Sequence, residues 1–402
     1  MTTSSAAAAP LTLQALDNPA VLDNPYPLYR RLRETSPVLW DPVRHHWTVT
    51  RHQEVTQALR SPALHAVPRR LGPRTPPTLR LLNSAMLDSD PPEHTRRRRV
   101  FTQAFTPRLT ADLAPAITHR VDALLDRVHE SGHMDLIEDL ATPLPLHVIG
   151  QLLGIPPQDR PRLHAGARGY ARLWGGDDTD QTTIGQAVTD ITRAIDHCRE
   201  LITQRRNAPR SDLISRLASP AGRAGSLSDG ELAANLFMVF TAGHYTTTDF
   251  LGNSVLALAH HPHQWQQLCT DPALASSAVT ELLRYEAPVQ FVIRLAAQDL
   301  TLAGQRITAG QLVVLLLAAA NRDPRAFPDP DRLDLTRTPN HHLTLGFGIH
   351  SCLGTALARL QGEITLSRLA ARMPRLRPAG DTIRWKTTTG LRGPLRLSVH
   401  WD

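Results

Sequence analysis

The residue with the most specific chemistry in this sequence is Cys352, which lies in the glycine-rich segment 345–354 (LGFGIHSCLG). Gly346, Gly348 and Gly354 lack a Cβ atom, so a loop of these residues can pass close to a flat cofactor. A helical pattern follows directly, and the partial positive charge at a helix N-terminus stabilises a thiolate over a thiol. Because thiolate sulfur is an axial ligand of haem iron in proteins, Cys352 is a candidate iron ligand. The alternative is a buried structural cysteine in a tight turn.

A second segment with chemical potential lies inside a long apolar pattern. Ser228 and Glu231 form a capping box, which predicts a helix that runs to about Ala259. Within it, the stretch 242–248 (AGHYTTT) is poor helix material, because glycine costs about 1 kcal/mol relative to alanine and threonine hydroxyls can bond to preceding carbonyls. We predict a local widening of the helix there, with a tolerated irregularity of a buried helix as the alternative.

Two further segments place charged side chains at helical spacing. Glu281 and Arg284 are three residues apart on one helix face, an arrangement that contributes almost nothing to stability on a surface. The segment 90–99 (DPPEHTRRRR) opens a helix at its prolines and places His94 and Arg98 one turn apart. A nucleic-acid patch is the alternative for the arginine run, but the run is short and has no interleaved aromatic residues.

In their order along the chain, these segments resemble those of the cytochrome P450 family, and the resemblance extends over nearly the whole sequence. It implies a mainly α fold with small β-sheets, in which haem b (iron protoporphyrin IX) lies between the long central helix and the helix after the cysteine loop. It makes Cys352 the metal ligand, through its thiolate. The haem contacts that it implies are His94, Arg98, Ala242, Arg294, Leu345, Gly346, His350, Cys352 and Gly354, of which His94, Arg98, Arg294 and His350 are assigned to the two propionates.

The oxygen side departs from the family pattern at one position. By resemblance Thr246 is the alcohol of the oxygen-binding groove, together with Gly243, but Tyr245 stands where family members usually carry an acid. A carboxylate with a pKa of about 4 can relay protons as an ionised base, whereas a phenol with a pKa of about 10 stays neutral. Two outcomes are open. Either water, Thr246 and a polar group of the substrate bring the protons and hydroxylation or epoxidation survives, or the enzyme oxidises without oxygen insertion, by cyclisation, desaturation or C–C or C–N coupling.

Further assignments follow from the same resemblance. Glu281 and Arg284 match the family's Glu-x-x-Arg helix, and Arg332 is expected to complete a buried network with them. Leu345 replaces an aromatic residue seven positions before the cysteine, and Phe347 follows two residues later. We therefore hypothesise that the packing over the thiolate is looser or differently supplied. The substrate pocket is expected to include Met86, Phe240, Val289, Val292 and Thr389.

The resemblance also implies a set of partners. The substrates are dioxygen and a small molecule, expected to belong to secondary metabolism such as antibiotic biosynthesis and to be free or carrier-bound. Electrons are expected from a ferredoxin and its ferredoxin reductase. Arg96, Arg97 and Arg99 are expected to face away from the haem and to receive that acidic donor. The loop 61–78 carries arginines that could meet an acidic or carrier-bound substrate, and a solvated mobile lid is the alternative.

Composition narrows the class of protein further. The first residues show no basic region followed by an apolar span, so neither a secretory signal nor a membrane anchor is expected, and a cytoplasmic monomer fits. Three isolated cysteines argue against a disulfide framework and against clustered zinc ligands. The net charge of +7 is spread along the chain without a DNA- or RNA-binding motif, so nucleic acid is not an expected partner. Lys386 is the one lysine among 44 lysines and arginines, which we interpret as nucleotide composition rather than function.

The length of 402 residues would allow two or three domains, but the segments above must converge on one cofactor. We therefore predict a single domain over residues 1–402, with residues 1–12 disordered. A non-catalytic module that keeps the fold to bind a partner is the remaining alternative, and the intact cysteine loop argues against it. The fold prediction also rests on helical patterns at 108–131 and 189–206 and on strand-like runs at 46–50 and 311–317.

Overall fold

The structure, a computed structural model, describes residues 11–67, 77–102, 105–175, 180–219, 227–380, 383–386 and 390–401. Helices predominate in these ranges and the β-sheets are small, as predicted. The α-helices are α1 (Pro19–Asp23), α2 (Tyr26–Thr35), α3 (His52–Arg60), α4 (Pro77–Arg80), α5 (Glu93–Thr102), α6 (Pro107–Asp112), α7 (Ala114–Asp126), α8 (Pro143–Leu153), α9 (Arg160–Gly175), α10 (Gln181–Asn207), α11 (Leu213–Ala218), α12 (Asp229–Ala259), α13 (Pro262–Thr270), α14 (Ala275–Tyr285), α15 (Leu317–Ala320) and α16 (Thr355–Arg372). The strands are β1 (Val38–Asp41), β2 (His46–Val49), β3 (Leu64–Ala66), β4 (His133–Asp135), β5 (Val292–Ala296), β6 (Leu300–Leu302), β7 (Gln305–Ile307), β8 (Leu312–Leu315), β9 (Arg377–Pro378) and β10 (Ser398–His400).

The largest sheet joins distant parts of the chain. Its five strands lie in the order β1-β2-β8-β5-β3, in which β2 and β8 are parallel and the other neighbours are antiparallel. Trp47 of β2 lies opposite Val313 of β8, so the strands predicted at 46–50 and 311–317 are confirmed and are direct neighbours. A second sheet has the order β4-β10-β9, and β6 and β7 pair with each other.

The central element is α12, which is buried along most of its length. The hydroxyl of Ser228 accepts the amide of Glu231, and the carboxylate of Glu231 accepts the amide of Ser228, so the predicted capping box and long helix are confirmed. Helices α8, α9, α10, α14 and α16 pack against α12, as expected for a helix that is apolar on all sides. None of the helices in the described ranges is both long and apolar enough to cross a bilayer.

Three predictions about helices need refinement. The pattern at 108–131 forms α6, α7 and a short 3-10 turn rather than one helix, because Pro115 lacks an N–H and its ring prevents a helix from continuing through it. The pattern at 189–206 lies within the longer α10, which Asp180 caps. Helix α12 continues through 242–248, so the predicted widening does not interrupt it.

The N-terminal prediction of disorder over residues 1–12 falls mainly outside the described residues. Leu11 and Thr12 are placed, and the Thr12 hydroxyl donates to the Asp41 carboxylate at 2.7 Å and accepts the Gln14 amide at 3.1 Å. These side-chain hydrogen bonds tie Thr12 to the end of β1, and the expectation of disorder stays a prediction for the residues before it.

Candidate active site

The cysteine loop is held in shape by left-handed glycines and by backbone hydrogen bonds. Gly346 and Gly348 have φ angles of +70° and +74°, which residues with a Cβ rarely adopt. A Cβ on Gly348 would also lie 2.9 Å from the carbonyl oxygen of Leu59. The amide of Cys352 donates to the carbonyl of Leu345 at 2.7 Å, so the loop closes on itself shortly before α16 begins.

The surroundings of the Cys352 thiol exert opposing influences on its ionisation. The side chain is accessible to solvent on one side, yet many protein atoms surround it on the others. The resulting partial desolvation raises the pKa of the thiol. The amide of Gly354, the hydroxyl of Thr355 and the guanidinium of Arg98 lower it. Gly354 is also the N-cap of α16. Because a bound metal ion deprotonates a coordinating thiol outright, this set of donors fits a thiolate ligand.

Four basic side chains gather beside the loop with one carboxylate. The rings of His94 and His350 lie 4.3 Å apart between their centroids. Desolvation and the charges of Arg294, His94 and Arg98 lower the pKa of His350 to about 3. Desolvation likewise lowers the pKa of His94 and of both arginines. The acid beside them is Asp90, whose Oδ1 lies 4.0 Å from Nε2 of His350.

This basic cluster lacks hydrogen-bond acceptors. Both ring nitrogens of His94 and Nε2 of His350 are buried without a partner, whereas buried polar atoms in proteins nearly always have one. Arg98 donates to the carbonyl of Ser351 at 2.7 Å. A pair of carboxylates placed here would both accept the free donors and neutralise the excess positive charge. The residues present therefore fit a haem whose two propionates lie in this cluster.

A buried ion pair supports the segment that leads into the loop. The side chains of Glu281 and Arg284 on α14 are fully buried. Nε and Nη2 of Arg284 donate to the two carboxylate oxygens of Glu281 at 2.7 and 2.8 Å. Arg284 also donates to the carbonyls of Asn321 and Pro330 at 2.9 and 2.8 Å. The pair thus ties α14 to the chain before the cysteine loop.

The third member of this network is Arg337 rather than Arg332. Nε of Arg337 donates to Oε1 of Glu281 at 3.1 Å, and Nδ2 of Asn340 donates to Oε2 at 2.9 Å. The Arg332 side chain is exposed, and this residue joins the network through its carbonyl oxygen, which accepts from Arg284 at 3.2 Å. The prediction was wrong for the Arg332 side chain, because the turn of the chain after Pro330 directs the later arginine toward Glu281.

The central helix opens at one place. Within 232–258, Ala242 is exposed and Gly243, Tyr245 and Thr246 are partly exposed, whereas the other residues are buried. The hydroxyl of Thr246 donates to the carbonyl of Ala242 at 2.8 Å, as expected for threonine one turn later on a helix. A threonine of the oxygen-binding groove must present an accessible hydroxyl on an otherwise enclosed helix, and Thr246 does so.

Comparison with known proteins decides the family. The model of the cytochrome P450 family matches residues 273–372. The vitamin D(3) 25-hydroxylase of Pseudonocardia autotrophica is 38% identical over 94% of this chain and 93% of its own. Cytochrome P450 107B1 of Saccharopolyspora erythraea is 37% identical over 88% of this chain and 89% of its own. The structure of P450BioI in complex with acyl carrier protein ligated to hexadec-9Z-enoic acid has a TM-score of 0.90 and 35% identity, over 95% of this chain and 99% of that chain. This chain belongs to the cytochrome P450 family.

As a cytochrome P450, the protein is a monooxygenase with haem as its cofactor. The loop, the basic cluster and the Glu281 network described above are the parts of this P450 that fit that cofactor. The sequence resemblance, drawn from short motifs, is confirmed over nearly the full length of the chain.

Tyr245 in this P450 is a neutral phenol held beside a cation. The ammonium of Lys386 lies 4.7 Å from the centroid of its ring. Desolvation and then Asp249 raise the pKa of Tyr245 to about 12, although two arginines of α9 lower it. The phenol therefore stays protonated at neutral pH and cannot act as an ionised base.

Phe347 does not take the place of the aromatic residue that the family carries at position 345. Leu345 is partly buried against the main hydrophobic core. Phe347 is 36% exposed, and the guanidinium of Arg60 lies over its ring at 4.3 Å. Because Phe347 takes part in a surface contact, it does not replace the aromatic residue that Leu345 lacks.

Two of the three arginines expected to receive an acidic donor are paired within the P450 instead. Arg96 forms ion pairs with Glu93 and Glu231, and Nη2 of Arg97 lies 3.0 Å from Oε1 of Glu231. The expectation of a free basic surface was wrong for both, because α5 packs beside the N-terminus of α12, where the Glu231 carboxylate lies. Arg99 is exposed, and no acid in the described part of the chain lies within ion-pair distance of it.

The predicted pocket residues differ in accessibility. Met86, Val289 and Val292 are partly buried and apolar, which suits a pocket wall. Phe240 is fully buried and stacks with a histidine of α12. The pocket assignment of Phe240 needs correction, because residues two apart on a helix point about 200° apart, and Phe240 therefore faces away from the accessible Ala242. Thr389 lies outside the described residues.

Gly243 and Asp249, both on α12, have structural roles that we did not predict from the sequence. A Cβ on Gly243 would lie 2.9 Å from Cδ1 of Ile149, so this glycine allows α12 to pack closely on α8. Asp249, also on α12, is buried and pairs with Lys386. A signal for Asp249 was present, since an aspartate within a long buried helix is seldom left without a partner.

Proposed function

We propose that this P450 inserts one atom of dioxygen into a small, largely apolar molecule of secondary metabolism, by hydroxylation or epoxidation. The observation that carries the proposal is the accessible stretch of α12, where the Thr246 hydroxyl is surrounded by an otherwise apolar helix. Met86, Val289 and Val292 add apolar surface without a charged group, which favours an apolar substrate. The similarity to a protein named as a hydroxylase supports oxygen insertion.

Each part of the site has a defined task in this proposal. When bound, the haem supplies the iron centre at which dioxygen is activated. Cys352 holds the iron, and the four basic side chains of the cluster hold the propionates. Thr246 can turn its hydroxyl from the Ala242 carbonyl to a water molecule, and so hold a proton donor at the accessible stretch. Helix α12 excludes water over the rest of its buried length.

A second candidate function is an oxidation without oxygen insertion, and Tyr245 is the observation that favours it. A phenol with a pKa of about 12 cannot hold the negative charge that draws protons toward the reacting oxygen. Cyclisation, desaturation or C–C or C–N coupling would take hydrogen from the substrate and leave no oxygen atom in the product. We favour oxygen insertion, because the accessible Thr246 hydroxyl remains and water can bridge a missing relay member.

The distinguishing experiment follows the oxygen atom. Vitamin D3 and hexadec-9Z-enoic acid serve as first apolar probes, and a shift of the haem absorption band on addition of each reports its binding. A probe that binds is then turned over under isotopically labelled dioxygen. Oxygen insertion predicts a product heavier by one labelled atom. A product without label would overturn the preferred function and establish the second one.

We also infer that electrons come from an acidic ferredoxin that docks beside the cysteine loop. Phe347 and Ile349 of the loop are exposed, the latter to 50%, and Arg60 lies against Phe347. Arg99 adds an exposed cation next to Arg98, which contacts the loop. An apolar centre with cations at its border suits a transient acidic partner, since exposed charges act mainly on the association rate.

Charge reversal tests this docking site. The double variant Arg60→Glu/Arg99→Glu should reduce the rate of haem reduction by ferredoxin at low ionic strength and weaken its dependence on salt. Arg216→Glu, an exposed arginine on α11, is the matched control and should leave both unchanged. Reduction kinetics that are equal in the double variant and in the control at every salt concentration would contradict the docking site.

The form in which the substrate arrives is a separate part of the proposal. P450BioI, to which this chain is structurally similar, was solved with a fatty acid on acyl carrier protein. We propose a free substrate for this P450. Binding of hexadec-9Z-enoic acid on acyl carrier protein that is about tenfold tighter than binding of the free acid would show the carrier-bound form instead.

A further inference from the structure

A buried ion pair joins the central helix to the C-terminal part of the chain. Asp249 lies one turn after Tyr245 on α12, and its side chain is 1% exposed. Its Oδ1 pairs with the ammonium of Lys386, which is the single lysine of the protein. The same ammonium lies 4.7 Å from the centroid of the Tyr245 ring. One cation therefore contacts both a buried carboxylate and an aromatic ring on the same helix face.

Residues 385–386 and 393–394 form a narrow pair of chain segments that rests on α12. The amide of Lys386 donates to the carbonyl of Gly393 at 3.0 Å, and Trp385 pairs with Pro394. A Cβ on Gly393 would lie 2.2 Å from Oδ1 of Asp249, so the backbone passes directly over the carboxylate. The Lys386 side chain thus reaches α12 from a segment that is already in contact with it.

The opposite edge of this segment contacts the predicted substrate wall. Leu391 pairs with Val289, and the amide of Gln290 donates to the carbonyl of Gly390 at 3.0 Å. The amide of Arg392 donates to the carbonyl of Pro288 at 2.8 Å. The segment therefore lies between α12 on one side and residues 288–290 on the other. A shift at its contact with α12 would be transmitted to Val289.

We propose that Tyr245, Asp249 and Lys386 form a clamp that sets the position of the 390–393 segment and, through Val289, determines which substrates the site accepts. Tyr245 is a positioning residue in this clamp, because its ring confines the ammonium while Asp249 neutralises it. The clamp rests on the proposed function, in which Val289 borders the substrate. It gives the Tyr245 ring a use at the position where family members usually carry an acid.

The electrostatics of the surrounding helices make Asp249 necessary to the clamp. Two arginines of α9 act on Tyr245, and desolvation, followed by neighbouring positive charges that include Lys386, lowers the pKa of His164 and His244, so both rings are neutral. The arginines would repel an ammonium that had no counter-ion, and the neutral histidine rings cannot supply one. The carboxylate of Asp249 supplies that counter-ion, and its second oxygen, Oδ2, is buried without a hydrogen-bond partner.

A single-site label tests the clamp directly, because Lys386 is the one lysine. Protein grown on lysine labelled with 13C at the ε-carbon gives one resonance, recorded on the holoenzyme in its diamagnetic, reduced and carbon monoxide-bound form. We expect the ε-protons to be shifted upfield by the Tyr245 ring. The shift should persist in Tyr245→Phe, which keeps the ring, and should be lost in Tyr245→Leu. An ε-resonance that is the same in all three proteins would overturn the clamp.

Substrate discrimination is measured by the dissociation constants of vitamin D3 and hexadec-9Z-enoic acid, from the shift of the haem band. The ratio of the two constants should change about threefold or more in Tyr245→Leu and in the double variant Asp249→Asn/Lys386→Met, and should stay unchanged in Tyr245→Phe. The double variant removes both charges together, so it avoids a lone buried charge that could prevent folding. A ratio that is unchanged in both variants would overturn the role in specificity.

The two measurements separate this inference from the proposed function. If neither probe binds the wild-type protein, the apolar substrate class proposed above fails. The clamp is then tested by the lysine resonance and by hydrogen exchange of the backbone amides of 390–393, which should be faster in the double variant than in the wild type. Equal exchange in the two proteins would overturn the clamp.

Discussion

Replacement of Arg337 by alanine should destabilise this P450 far more than replacement of Arg332. Arg337 donates to the fully buried carboxylate of Glu281 at 3.1 Å, and its own side chain is 9% exposed. It also donates to the carbonyls of Pro328, Asp329 and Arg332 at 2.7, 3.2 and 3.1 Å. The Arg332 side chain is exposed, and the carbonyl that this residue contributes is retained in Arg332→Ala.

The expected loss of stability follows from these contacts. A hydrogen bond to a charged group contributes about 1.5–3 kcal/mol. The three carbonyls can turn toward water once Arg337 is gone, so their loss adds less. Removal of one partner from a buried charge network costs about 3–5 kcal/mol, and Glu281 keeps Arg284 and Asn340 in this variant, so we expect about 3 kcal/mol. Arg332→Ala should change the unfolding free energy by about 0.5 kcal/mol at most.

Urea unfolding of the holoenzyme, followed by far-ultraviolet circular dichroism at 25 °C, measures both losses. With an unfolding entropy of about 2.1 cal/mol/K per residue, a loss of about 3 kcal/mol in this chain corresponds to a fall in Tm of about 3–4 °C. Arg337→Lys keeps the charge but not the planar set of donors, and it should lie between the wild type and Arg337→Ala. Equal losses for the two alanine variants, or a loss below about 1 kcal/mol for Arg337→Ala, would refute the assignment of Arg337.

Three other predictions concern the iron ligand, the tyrosine of α12 and the pH dependence of stability. Cys352→Ser should lose the red-shifted absorption band that reduced, carbon monoxide-bound haem shows with a thiolate ligand, and an unchanged difference spectrum would rule out Cys352 as that ligand. Tyr245→Glu should raise the amount of product formed per electron consumed, while labelled oxygen still enters the product. The yield is measured against consumption of the reductant, and a fall in it would argue against proton delivery by a carboxylate. Desolvation, His164 and Lys386 lower the pKa of His244 to about 3, so between pH 6.5 and about 3 the unfolded chain takes up a proton that the folded protein does not. The unfolding free energy of the wild type should therefore fall as the pH is lowered through this window. The fall should be smaller in His244→Phe, and identical pH profiles of urea unfolding would contradict the assigned burial.

The parts of the site that could be predicted from the sequence are those whose geometry depends on neighbouring residues. The tight glycine loop and the start of α16 after Cys352 are local features, and the structure has both, with Gly346 and Gly348 in the left-handed region. The capping box of α12 joins Ser228 to a residue three positions later, and it is present. Such contacts are made within a few residues, so their spacing alone indicates them.

The predictions that failed concern contacts across long stretches of the chain. Glu281 contacts Arg337 and Asn340, more than fifty residues later, and the choice between Arg332 and Arg337 depends on the path of the intervening turn. Arg96 and Arg97 were expected on a free surface, yet Glu231 neutralises them from 134 or more residues away. No spacing rule relates residues this far apart.

The sequence by itself determined the family, the cysteine loop, the central helix and the tyrosine at position 245, because short motifs with fixed spacing carry that information. The tertiary structure alone decided which charges are free and which are paired. Arg99 is exposed while its two neighbours are bound, and Lys386 crosses to Asp249, 137 residues earlier, to lie beside Tyr245. The physical reason is that a charge acts over the few ångströms to its neighbours in space, and the fold determines which residues those neighbours are.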